Sequence, residues 1–184
     1  MALKAFLFSS VPNILCELGS SSKVGGLMQK LGSKHILVVT DPGLRKLGLV
    51  DRVVEGVESA GLKCSVYDKV QEDPPEYIIK EIIQQAKVSG VDGMVGVGGG
   101  SSMDAAKLAS FMAGNTKQSL NDIYGVDKCI GRRLPLIQVP TTAGTGSEVT
   151  NISVITTVKL FYTCYQIHVI SRVSENCVAK LFYT

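Results

Sequence analysis

The chain has 184 residues, 45% of them hydrophobic and 19% charged, a length that suits one domain, or a domain with a fragment beside it, and is short for a two-domain enzyme. That composition is too apolar for a disordered chain and too interrupted for a bundle of membrane helices. Nineteen Lys and Arg against 16 Asp and Glu leave +3 with no block of one sign, which gives no electrostatic basis for binding nucleic acid or a membrane and points to a small molecule or another protein as partner.

Cys16, Cys64, Cys129, Cys164 and Cys177 are odd in number, scattered and without a C-x-x-C pair, and the chain has two histidines with which to complete a zinc set. Reduced thiols are therefore expected. The start, Met1 to Phe8, has too short an apolar stretch for a secretory signal and lacks the Arg-rich, Ser-rich character of a transit peptide. No run approaches the roughly 18 apolar residues that span a bilayer. A cytoplasmic location is the expectation.

Short apolar runs alternate with helix-period segments along most of the chain. His35 to Thr40 reads as a buried strand that stops at Asp41-Pro42-Gly43. Leu49, Val53, Val54, Val57 and Ala60 form a helical stripe ended by Gly61, and Lys63 to Tyr67 is the next strand. Asp73-Pro74-Pro75 opens a helix with Ile78, Ile79, Ile82, Ile83 and Ala86 on one side and Gly90 beyond its end. A strand at Gly93 to Val97 leads to a helix at Ser102 to Ala113, with Ala105, Leu108, Ala109 and Met112 inward. Pro135 to Val139 is a further strand. This alternation predicts an α/β fold: an open, mostly parallel sheet with helices on both faces, Rossmann-like, whose ligands gather beyond the carboxyl ends of the strands.

Two polar, glycine-spaced turns stand at such strand ends. The first, Val97-Gly98-Gly99-Gly100-Ser101-Ser102, lets a bulky anion approach backbone. The helix after it offers unpaired N–H groups and a positive dipole end, so a phosphate or pyrophosphate is the fitting ligand, with Ser101 and Ser102 as caps or further donors. A plain strand-to-helix turn with a serine cap is the alternative. A P-loop is excluded because no Gly-Lys pair exists, and the standard dinucleotide fingerprint fails because Ser101 stands at its third glycine. An acid does end a strand, but it is Asp41, upstream of the glycines, where it suits a ribose and repels a 2′-phosphate. The second turn, Pro140-Thr141-Thr142-Ala143-Gly144-Thr145-Gly146-Ser147-Glu148, suits either the far side of a cofactor or a helix cap at Thr145 or Ser147.

GGGSSMDAAK followed after about forty residues by PTTAGTGSEVT resembles the iron-type (group III) alcohol dehydrogenases, specifically their N-terminal nucleotide-binding domain, from Leu7 to about Thr156. The fold is also similar to that of glycerol dehydrogenases and dehydroquinate synthases. The resemblance implies that Gly98, Gly99, Gly100 and Ser101 hold the pyrophosphate of NAD(P), that Thr141, Thr142 and Thr145 line the cofactor cleft, and that Asp41 favours NAD over NADP. Asp104 and Lys107 share a helix face and either reach the cleft or pair with each other; the cleft is preferred, which adds Asp104 to the cofactor contacts. Asp73 stands where relatives often carry Asn. The family's reaction oxidises an alcohol to a carbonyl with a divalent metal, iron or zinc, held by one Asp and three His on a helical C-terminal domain. No residue of this chain is assigned to metal binding or catalysis: His35 reads as structural and His168 is isolated.

Residues 1–156 are thus expected to be the NAD(P)-binding domain and 157–184 an anomalous tail. The tail lacks Gly, Pro and Asp and repeats Lys-Leu-Phe-Tyr-Thr at 159–163 and 180–184. The chain is read as the cofactor-binding half of an NAD-dependent alcohol dehydrogenase acting on a small alcohol or aldehyde, with homodimerisation possible. The alternative is a catalytically inactive truncated form that binds only nucleotide or a partner. The uncharged stretch Leu160 to Ser171 is expected to promote self-association.

Overall fold

Four short runs rich in β-branched and other apolar residues build the central sheet of the computed structural model, which describes residues 10–114, 117–125 and 127–157 and the backbone of 163–166 and 177–179. They are β2 (His35–Val39), β3 (Lys63–Tyr67), β4 (Gly93–Gly98) and β5 (Leu136–Pro140), all parallel, in the order β3-β2-β4-β5. β2, β4 and β5 are buried along their whole length, as parallel strands covered on both faces must be. β1 (Asn13–Leu15) pairs with β8 (Cys177–Ala179), which lies beside β5, and β6 (Ile152–Ile155) pairs antiparallel with β7 (Thr163–Gln166). β7 and β8 come from the stretch read as a tail; His168 lies outside the described residues.

Helices cover both faces, as the alternation predicts. On one side α1 (Val24–Lys30) and α3 (Asp51–Ser59) enclose Val24, Met28, Val53 and Val57 against Ile36, Val38, Val95 and Val97. On the other, α4 (Glu76–Ser89) and α5 (Gly100–Ala113) set Ile78, Ile79, Ile82, Leu108 and Phe111 against Leu37, Val39 and Met94. α4 begins after Pro75, whose extended backbone suits the position before a helix, and stops where Gly90 turns left-handed at φ 66°. α1 and α3 meet at two glycines. A Cβ on Gly25 would lie 2.1 Å from the Gly56 carbonyl oxygen, and one on Gly56 would lie 2.5 Å from that of Ser22.

Two sequence expectations shift. Leu49 is exposed and fully buried Val50 takes its place, because the chain enters α3 two residues later than the stripe suggests. α5 is buried from Ser102 to Met112 on every side, not on one stripe, because β6 packs on it in addition to the sheet and α4.

Burial pushes the thiols of Cys64 and Cys129 up to about 11, while Cys16 lies exposed. At pH 8 a thiol with that pKa is about 0.1% ionised, on the order of a hundredfold less than an ordinary one, and the thiolate is the reactive form. Timed alkylation with peptide mapping is expected to label Cys16 well before Cys64 and Cys129.

Candidate functional site

The strand order places a topological switch point between β2 and β4: from β2 the chain crosses to β3 on one side, then returns to β4 on the other. Open parallel sheets bind ligands in the crevice beyond the carboxyl ends of such strands. Asp41 follows β2, Gly98 to Gly100 close β4 and open α5, and Thr141 follows β5, so the sheet brings together the segments that the sequence singled out.

Gly98 has φ 143°, and a Cβ there would meet the Ser102 hydroxyl at 2.8 Å and Leu44 at 3.1 Å; no other residue type fits. A Cβ on Gly100 would sit 3.2 Å from the Thr145 methyl and 3.3 Å from the Ser147 hydroxyl. Gly99 has ordinary extended backbone, φ −77°, and the nearest atom to a Cβ there is the Thr142 hydroxyl at 3.5 Å. The helix starts two residues earlier than its polar residues suggest. Gly99 is therefore the N-cap position, and neither Ser101 nor Ser102 caps α5. The Met103 amide donates to the Gly99 carbonyl at 3.1 Å, so the N–H groups of Gly100, Ser101 and Ser102 lie ahead of the first helical bond, at the positive end of the dipole.

The second turn lies against the first. The Thr141 amide donates to the Gly98 carbonyl at 3.0 Å. The Thr145 hydroxyl accepts from the Ser147 amide at 3.3 Å, and Val149 and Thr150 both donate to the Gly146 carbonyl, so this segment forms a single turn and not a helix start. Thr141 is half-buried; Thr142 and Thr145 are exposed. Asp41 caps α2 (Pro42–Lys46): its Oδ1 accepts from the Leu44 amide at 3.0 Å, while Oδ2 has no hydrogen-bond partner among the described residues. The same turn sends Leu44 toward Gly98.

Asp104 and Lys107 lie further along α5. Both are buried and paired at 3.2 Å, and their remaining bonds go to the backbone of β6. Burial pulls the Lys107 ammonium below its usual range, against the opposing pull of Asp104. His35 is structural: its ring nitrogens meet the Ser89 carbonyl at 2.9 Å and the Ser65 hydroxyl at 2.8 Å. Asp73 is exposed at φ 45°, a backbone region that Asn and Asp tolerate better than most residues.

Sequence reasoning passed over Gln138. Its amide donates to the Met103 carbonyl at 2.9 Å, and its Oε1 lies where a Cβ on Gly96 would stand, so it joins β5 to the first turns of α5 across β4. A lone polar residue inside the run Leu-Ile-Gln-Val-Pro was the available signal. Among the described residues, no three or more His, Cys, Asp or Glu converge to hold a metal ion, and no helix is long and apolar enough to cross a membrane.

The fold and these turns define an α/β domain of the doubly wound parallel type with a glycine-lined crevice at its switch point. The profile of the family described as iron-containing alcohol dehydrogenase matches residues 12–174, and the chain belongs to that family. It is 44% identical over 131 residues to long-chain-alcohol dehydrogenase 1 of Geobacillus thermodenitrificans, covering 70% of this chain and 33% of that protein. It is 37% identical over 138 residues to the NAD-dependent methanol dehydrogenase of Bacillus methanolicus, covering 75% and 36%. The crystal structure of a 1,3-propanediol oxidoreductase superimposes with a TM-score of 0.87 at 27% identity, over 96% of this chain and 46% of that one. The sulfoacetaldehyde reductase of Bifidobacterium kashiwanohense, solved in complex with NAD+, gives 0.79 at 26% identity, over 97% and 46%. The chain thus spans about a third of the length of these curated relatives.

Proposed function

We propose that this chain supplies the NAD(P)-binding half of an alcohol dehydrogenase, with NAD preferred. The observation that carries this reading is the apposition of the glycine turn and the 141–147 turn, joined by the Thr141–Gly98 bond and by packing of Gly100 on Thr145. A side chain at Gly100 would press on Thr145 and Ser147, and the three N–H groups ahead of the first helical bond of α5 suit a pyrophosphate. Gly98, Gly99, Gly100 and Ser101 would hold the phosphates, and Thr141, Thr142 and Thr145 would flank them. The free oxygen of Asp41 would accept from a ribose hydroxyl. Bound there, the nicotinamide would supply the hydride acceptor for oxidation of an alcohol to a carbonyl. The described residues offer no donor set for iron or zinc, and no part in metal chemistry is proposed for them. An NAD-dependent methanol dehydrogenase and a reductase solved with NAD+ among the similar proteins support the choice of cofactor.

Gly99 makes a clean test because its backbone accepts any residue and a Cβ meets only ordinary contacts. Calorimetric titration is expected to show NAD binding to the chain and a loss of about tenfold or more in Gly99→Asp, whose carboxylate would stand among the phosphates; about 1.4 kcal/mol of repulsion gives that factor. Equal binding by the two proteins overturns the assignment. In the same titration Asp41→Ser is expected to narrow the gap between NAD and NADP by about tenfold, since a 2′-phosphate no longer meets a carboxylate. An unchanged ratio removes Asp41 from the site.

A further inference from the structure

Asp104 and Lys107 lie about one and two turns along α5 from the glycine turn, 6% and 5% exposed. The carboxylate is divided between two partners: Oδ1 faces the Lys107 ammonium at 3.2 Å and Oδ2 accepts from the Val154 amide at 2.9 Å. The ammonium also donates to the Ile152 carbonyl, and the Ser153 hydroxyl donates to the Asp104 carbonyl at 2.8 Å. Three consecutive residues of β6 are therefore tied to one stretch of α5. In a strand, the carbonyl of residue i and the amide of residue i+2 face the same edge. Lys107 supplies the donor and Asp104 the acceptor for that edge, so the ion pair stands in for a neighbouring strand.

β6 begins where the second turn ends. The segment 141–151 is thus fixed at its start by the Thr141–Gly98 bond and at its exit by the grip on Ile152 to Val154. Hydrogen bonds to charged groups are shorter and about twice as strong as neutral ones, and burial keeps water from competing for them. We infer that Asp104 and Lys107 are positioning residues that hold the exit of the 141–151 segment against α5, keep Thr142 and Thr145 apposed to the glycine turn, and act on a bound dinucleotide through that segment and not by contact. The ligand in this statement rests on the cofactor reading above; the grip on β6 does not.

Hydrogen exchange of the full chain, read on peptides covering 149–157 and 93–98, is measured beside NAD titration for the wild type, Asp104→Ala, Asp104→Asn and Ser153→Ala. Asp104→Ala is expected to speed exchange in 149–157 by about tenfold or more, leave 93–98 protected, and weaken NAD binding by about tenfold. Asp104→Asn, which keeps an oxygen for the Val154 amide, is expected to restore much of both. Weakened NAD binding with 149–157 unchanged means that Asp104 touches the ligand and overturns the inference. Faster exchange in 149–157 with NAD affinity intact overturns it equally. If Asp104→Ala loses protection in 93–98 as well, Ser153→Ala decides: faster exchange confined to 149–157 upholds the grip, and no change refutes it. Failure of the wild type to bind NAD sinks the cofactor reading alone, and the exchange results then judge the grip by themselves.

Discussion

Replacing Gly56 with alanine is expected to lower the thermal midpoint by about 6–12 °C, the equivalent of about 3 kcal/mol for a domain of this size. Two effects oppose each other. Alanine is a better helix former than glycine by about 1 kcal/mol, but a Cβ at position 56 would stand 2.5 Å from the Ser22 carbonyl oxygen and 2.9 Å from its carbon. Those atoms are backbone and cannot rotate away, so the chain before α1 must separate from α3 and give up contacts around Val24, Val53 and Val57. The steric cost wins. Gly26, the next residue along α1 from Gly25, has nothing within 4 Å of a Cβ position, and Gly26→Ala is expected to raise the midpoint by about 2–4 °C. Thermal unfolding of the two variants tests the helix crossing, and a stabilised Gly56→Ala contradicts it.

Lys107→Met is expected to destabilise the chain by about 3–5 kcal/mol in urea titration at neutral pH, because the Asp104 carboxylate stays buried without its cation. Adding Asp104→Leu is expected to recover part of the loss. The charge to be neutralised is then gone, and the remaining cost is that of the stranded Val154 amide and Ile152 carbonyl. The double-mutant cycle should therefore show clear non-additivity. The Arg45–Asp51 pair is a built-in contrast: its bond is shorter, 2.7 Å, but its side chains are 41% and 53% exposed, and Arg45→Ala is expected to cost no more than about 1 kcal/mol. Similar losses for Lys107→Met and Arg45→Ala would show that the buried pair carries no special weight.

The sheet was legible in the sequence because β2, β3, β4 and β5 are short, largely apolar runs bounded by Asp-Pro-Gly, Gly or Pro, and their observed limits lie within about a residue of the expected ones. α1 was not legible. Seven residues containing Gly25 and Gly26 have poor helix propensity, and the helix exists because Gly25 lets it lie against α3. The 3-10 turn at Leu120–Ile123 was overlooked although Ser119 and Asp122 form a capping box, a signal that the letters carry. In the crevice, the glycines, the threonines and Asp41 could be found because turn chemistry and strand ends are local features. The partners of Asp104 could not. Its spacing from Lys107 announced a pair, but the third member, β6, comes about fifty residues later and no periodicity connects the two. Gln138 was hidden for the same reason: its role depends on which strand lies beside β4.

The all-parallel sheet also constrains how the chain folds. None of its ladders is local: His35 pairs with Lys63, Ile36 with Gly93, and Met94 with Leu136, so every sheet bond requires a long loop to close first. Chains dominated by such pairings fold slowly, since loop entropy is lost before the contacts that compensate for it are gained. The first stable nucleus is expected to contain β4, which like β2 has a strand on each side, with α4 and α5 docked on it. Until α1 and α3 cover its other face, Val95 and Val97 face water. In a refolding experiment, aggregation would be greatest during that interval, and a chaperone that shields apolar strands would act on this step.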